Sequence, residues 1–318
     1  MIPMKLLDWI DERNLIWDLL AFNKNAIQLL AKNKAKINWG SLSLNPEAIE
    51  LLKENPDKIN WQLLSANPNG VHLLKENQPK IDWEALSSNP NAYQLLKKNL
   101  DKIDWEALSV NTNPDIIQLL REHPNKINWS SLSNNENAIE LIKENLDKIN
   151  WFKLCLNPNA VEILKENPDK IDWSILSKNI NAIDLLNKNK KKINWMILSS
   201  NQNAIEIIKE NLDKINWSIL SININAIQLL KANQDKINWL ILSANPNAME
   251  ILKNNQDKID WFRISKNPSI FTYDYEKMRN SNKNLKEEII ASALNPSRIF
   301  RLIDNYDKNE VYKAYFDY

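Results

Sequence analysis

Glycine is nearly absent: Gly40 and Gly70 are the only two in 318 residues. A phosphate-cradling loop needs several glycines close together, so nucleotide chemistry of that kind is excluded. Cys155 stands alone and excludes an internal disulfide framework. The two histidines, His72 and His123, sit in different repeats at non-equivalent positions, with no cysteine or glutamate cluster at ligand spacing, so neither reads as a metal ligand. No apolar run approaches the ~20 residues of a membrane-spanning helix, and the start Met1-Ile2-Pro3-Met4-Lys5-Leu6 lacks the basic-then-apolar plan of a secretion signal. Charge of one sign is missing too. The formal net charge is +1, with both signs interspersed, so electrostatics argues for neither nucleic acid nor an anionic membrane. Asp and Glu are plentiful but recur with a period, as a solvated face does. No catalytic residue and no cofactor are expected.

What fills the chain instead is a repeat. Trp17, Trp39, Trp61, Trp83 and Trp105 fall 22 residues apart; after one step of 24, the spacing resumes through Trp129, Trp151, Trp173, Trp195, Trp217, Trp239 and Trp261. A fixed period of this size signifies a stacked array. Within the unit, Asn or Asp precedes each Trp (Asn60, Asp82, Asn128) and reads as a helix N-cap. A short helix follows, with Trp61, Leu64 and Ser65 on one face. Asn67-Pro68 ends it and starts a second helix, since Asn caps and Pro suits the first helical position. That helix closes at a regular Asn (Asn55, Asn77, Asn99), for which the left-handed conformation is expected. The link back, as in Asp57-Lys58-Ile59, anchors through its Ile.

The pattern predicts an all-α solenoid of eleven complete two-helix repeats and a degenerate twelfth, flanked by caps. Residues 1–16 read as an N-terminal cap, 17–267 as the array and 268–318 as a C-terminal helical cap. With layers about 8–10 Å apart, such an array is expected to form an open, curved rod on the order of 100 Å long. The tryptophans are expected in the core between layers, and a two-residue insertion near Asn111-Thr112-Asn113 lengthens one turn.

The unit Asn-Pro-Asn-Ala-Ile-x-Leu-Leu-Lys-x-Asn-x-Asp-Lys-Ile-Asn-Trp-x-x-Leu-Ser resembles the short repeat of a large protein family in giant and large DNA viruses of amoebae and algae. Leu6-Leu7-Asp8-Trp9-Ile10 resembles the usual opening of that family. Tyr273-Asp274-Tyr275-Glu276-Lys277-Met278, Lys286-Glu287-Glu288-Ile289-Ile290 and Asn295-Pro296-Ser297-Arg298-Ile299 resemble its ending, with Asn295 in a place where many members have His. The resemblance implies a viral protein located in the host cytoplasm or the virion.

Positions that vary between copies are free to specify a partner. The residue after Trp is small or polar in Gly40, Gln62, Glu84, Glu106 and Ser130, but apolar in Phe152, Met196, Leu240 and Phe262. The next position changes to Ile175, Ile197, Ile219 and Ile241. Phe152, Met196, Leu240 and Phe262 are the candidate partner-binding residues, expected to be partly exposed, while the Ile row is expected between layers. The function read from this is a non-catalytic scaffold that binds another protein, host or viral, or self-associates. A helical nucleic-acid reader with stacking tryptophans is the alternative; its weakness is that the Lys row (Lys36, Lys58, Lys80) is shadowed by Asp57 and Asp101.

Overall fold

The structure, a computed structural model, describes residues 2–280. It is an all-α solenoid of short helices, and we number its repeats 1 to 12 from Trp17 to Trp261. Repeat 3 shows the plan. A 3-10 turn, Pro56–Lys58, leads through buried Ile59 to Asn60, whose Oδ1 accepts from the Leu63 N–H at 3.0 Å and starts the helix Trp61–Ala66. Asn67 Oδ1 then accepts from the Asn69 N–H at 3.0 Å, and Pro68–Gly70 opens in 3-10 form and continues as Val71–Glu76. Leu64 and Ser65 of the first helix and Leu73 and Leu74 of the second face each other in the core. In repeat 5 the insertion is absorbed as expected near Asn111-Thr112-Asn113. Asn111 stays in its buried place, Asn113 becomes the cap, and the second helix lengthens to Pro114–Glu122.

The asparagine that closes the second helix does so differently from expectation. No described residue has positive φ. Asn77 sits at φ −129°, ψ 42°, and Asn55 at φ −136°, ψ 61°. The closure is made by the side chain: Asn55 Nδ2 donates to the Leu51 carbonyl at 2.8 Å, and Asn77 Nδ2 to Leu73 at 2.9 Å. An orphan carbonyl of the last turn is thereby satisfied. A side-chain amide thus replaces the left-handed turn, which is why so little glycine is needed.

Two buried polar ladders join the repeats. Except for Ala21 in repeat 1 and Cys155 in repeat 7, the residue four after Trp is a serine that donates to the Trp carbonyl and accepts from the N–H of the next repeat's cap, as Ser43 Oγ does with Trp39 O (2.9 Å) and the Asn60 N–H (3.0 Å). The asparagine six residues after each Trp is buried and donates both Nδ2 hydrogens backwards. Asn67, for example, binds Ser43 O at 2.9 Å and Asn45 O at 3.0 Å. Among the described residues no buried side-chain nitrogen or oxygen lacks a partner. This matters because an unsatisfied buried polar group costs about 1–3 kcal/mol.

Followed to its ends, the asparagine ladder closes. Asn23 of repeat 1 donates to Ser265 O (3.3 Å) and Asn267 O (2.9 Å) of repeat 12, Asn25 Nδ2 donates to Pro268 O (3.0 Å), and the Ile16 N–H donates to Ser265 Oγ (2.9 Å). The two Asn23 bonds are those that the ladder asparagine of every repeat makes with its predecessor, and the other two recur at most junctions. The expected open rod is therefore corrected: the array is a closed circle in which repeat 1 is seated on repeat 12. An exposed end costs apolar burial and ladder bonds, and closure removes both ends at once.

The twelfth repeat is composite. Its Trp helix, Trp261–Ile264, and the turn Pro268–Ile270 come from the end of the array. Its link, the 3-10 turn Glu12–Asn14 with buried Leu15, comes from the start, and Ile10 is buried beside it in the chain. The compact unit so formed runs from Leu7 to Ile270. A second unit contains β1 (Met4–Leu6) and β2 (Phe271–Tyr273), paired antiparallel with Met4 opposite Tyr273. In that unit Asp274 N–H donates to Pro3 O at 2.9 Å, and residues 275–280 are helical. The helices expected at 285–294 and after Asn295-Pro296, and the aromatic end 311–316, lie outside the described residues.

Candidate interaction surface

On each Trp helix the residues three and four after Trp, mostly Leu and Ser, point to the core. The helical turn of about 100° per residue then aims the first, second and fifth residues after Trp away from the second helix. Phe152, Met196, Leu240 and Phe262 occupy the first of these positions and are 52, 52, 44 and 54% exposed. Ile175, Ile197, Ile219 and Ile241, at the second, are only partly covered, between the expected interlayer burial and full exposure. Between the large residues stand Ser130, Ser174 and Ser218. Their hydroxyls meet the next repeat's cap amide, Asn150 at 3.3 Å, Asn194 at 2.7 Å and Asn238 at 2.6 Å. From repeat 6 to repeat 11 the row thus alternates small polar with large apolar.

The fifth position carries exposed apolar residues that the sequence reading passed over: Phe22, Val110 and Ile222. The signal was available as an i, i+4 pairing with the first position on a helix. One juxtaposition was not available. Lys266 Nζ lies 5.2 Å from the Phe22 ring and 5.7 Å from the Phe262 ring, joining repeats 1 and 12 across the junction. Only closure of the circle brings these residues together.

All twelve repeat tryptophans, Trp17, Trp39, Trp61, Trp83, Trp105, Trp129, Trp151, Trp173, Trp195, Trp217, Trp239 and Trp261, are partly rather than fully buried. That corrects their expected place in the core. The outer ring face is covered by the lysine of the following link: Lys36 over Trp17 at 4.2 Å, Lys80 over Trp61 at 4.3 Å, Lys192 over Trp173 at 4.3 Å and Lys236 over Trp217 at 4.5 Å. Where the lysine turns to a neighbouring aspartate, as Lys58 does to Asp57 and Lys170 to Asp169 (both 3.2 Å), no such cover forms. In repeat 5, His123 takes the closing-asparagine position and stands edge-on to Trp105 at 5.0 Å between centroids.

The other polar candidates stay separate. His72 Nδ1 lies 3.5 Å from Glu76 on the surface, beside a shallow groove of about 380 Å³ lined by Trp61, Lys53 and Lys80. Among the described residues, no three His, Cys, Asp or Glu side chains gather at metal-binding distance. No described helix is long and apolar enough to cross a membrane. Cys155 replaces the ladder serine of repeat 7; burial pushes its thiol up, opposed by a hydrogen bond from the Asp172 backbone. No protein-family model, curated protein or solved structure matches this chain. What the fold itself defines is a helical-repeat protein.

Proposed function

We propose that the protein is a non-catalytic scaffold whose exposed row, Phe152, Met196, Leu240 and Phe262, binds another protein. The observation that carries this is the exposure of four large apolar side chains, each about half accessible, at one repeat position. Nothing in the repeat frame requires them there, since Gln62, Glu84 and Glu106 serve at the same place. Exposed apolar side chains rimmed by polar residues mark interaction sites. The partner we infer carries apolar anchors bordered by basic residues. Asp18, beside Phe22, and Glu84 and Glu106 on the polar arc would face such a border. Base stacking is the weaker reading, because lysines lie over many of the tryptophan faces that bases would need.

The test is a double substitution, Met196→Glu with Leu240→Glu, assayed by affinity capture from infected or host cells and by melting temperature. Loss of a specific protein partner with an unchanged melting temperature supports the reading. Retained capture, or loss of the fold, overturns it, since the row would then be either idle or structural.

A further inference from the structure

Every junction in the circle shares the asparagine ladder, yet one of them lacks the peptide link that the others have. Between repeats 12 and 1 there is no peptide connection inside the compact unit. The link position filled by lysine elsewhere holds Asn14, so Trp261, like Trp39 and Trp151, has no ammonium from the following link over it. The cap is Ile16, which makes no side-chain cap bond. The second helix of repeat 12 is missing, and residues 7–10 stand in its place, tied by the Leu7 N–H to Ile270 O at 2.9 Å. An internal junction can part only by unfolding its short link, whereas this one is held by noncovalent bonds alone, those above and the pairing of β1 with β2 into which its two sides continue.

We infer that the repeat 12–repeat 1 junction is a latch at which the circle opens, and that the bared faces are filled by a second copy of this chain. The occupant follows from complementarity. Repeat 12 presents Ser265 Oγ, Ser265 O, Asn267 O and Pro268 O; repeat 1 presents the Ile16 N–H and the amides of Asn23 and Asn25. Donors and acceptors on the two faces are unlike, so the faces cannot pair with themselves. A second copy satisfies them head to tail, in a two-chain circle or a longer chain. In the closed monomer the two faces are held at high effective concentration, so closure wins in dilute solution.

Hydrogen exchange on the unmodified protein tests the latch directly. The Ile16 N–H and the Asn60 and Asn194 N–H groups bind the same acceptor type, Ser265, Ser43 and Ser177. Ile16 should exchange at least ~10-fold faster than the other two. Equal protection would overturn the proposal. Light scattering of the unmodified chain, refolded from denaturant at rising concentration, tests the occupant: head-to-tail species of twice 37.2 kDa and larger should appear and grow with concentration, and their absence at every concentration would overturn the second copy.

Discussion

Repeats 2 to 6 and repeats 7 to 12 are two arcs of one circle. In the first arc the residue after Trp is Gly40, Gln62, Glu84, Glu106 or Ser130; in the second it is Phe152, Ser174, Met196, Ser218, Leu240 or Phe262. Beneath both runs the same buried ladder, from Asn45 through Asn267 and back to Asn23. Apart from Cys155 and the insertion in repeat 5, the arcs differ where the frame leaves a side chain unconstrained. At the ladder position no other residue offers two donors backwards and one acceptor forwards in so small a volume. At the rim, any residue that tolerates water or a partner will serve.

If that separation is right, breaking the ladder should cost the same in either arc. Asn67→Ala and Asn201→Ala each strand one carbonyl, Ser43 O or Ser177 O, and a turn N–H, and remove a second bond to Asn45 O or Asn179 O, which keep the N–H of Ala48 and Ala182. Each should lose about 3 kcal/mol in urea unfolding. A large loss in one arc and a small one in the other would mean that the arcs are not mechanically equivalent.

A sharper test uses the one place where the second arc departs from the first in its serine ladder. Cys155→Ser should restore the pattern of Ser133 and Ser177 and stabilise by about 1 kcal/mol, and Ser199→Cys should cost about as much. Denaturant midpoints measure both. A Cys155→Ser variant of lower stability would show that repeat 7 is packed around sulfur.

The repeat, its helix boundaries and its caps were legible because each depends on neighbours within a few residues. Asn60, Asn67 and Pro68 act locally, and local rules found them. The Asn67 side chain also has a second task, binding Ser43 and Asn45. Spacing could not reveal it, because N-cap and inter-repeat donor call for the same residue. Closure was illegible for a different reason. It depends on the small rotation per repeat accumulated over twelve layers, and no single residue encodes that angle. The exposed row lies between these cases. Its residues were identifiable from their variation, but its continuity through Lys266 to Phe22 needed the circle.

Carrying the apolar rim into the first arc tests whether rim and frame are separable. Glu84→Met with Glu106→Leu should change stability by less than about 0.5 kcal/mol, since both positions are exposed. The partner, or self-association, should then be held more tightly in a titration. A substantial fall in melting temperature would show that the acidic rim contributes to the frame.

The smallest expected effect concerns the lysines, which separate repeats more finely than the two arcs do. Lys192 stands 4.3 Å from the Trp173 ring, whereas Lys58 pairs with Asp57 at 3.2 Å. A cation over an exposed indole face contributes roughly 0.5–1 kcal/mol. A surface ion pair between sequence neighbours contributes close to nothing, because water screens it and the unfolded chain can form it too. Lys192→Ala should therefore lower stability slightly and shift tryptophan emission to the red as Trp173 meets water, while Lys58→Ala does neither. The lysine stem also shields the ring, so Lys192→Met separates the two contributions: it keeps the apolar cover and removes the charge. If Lys192→Met matches the parent protein, the lysine acts through its stem. If it matches Lys192→Ala, the ammonium holds the ring. Identical results for Lys58→Ala and Lys192→Ala would mean that the cover over the tryptophans contributes nothing to the frame in either arc.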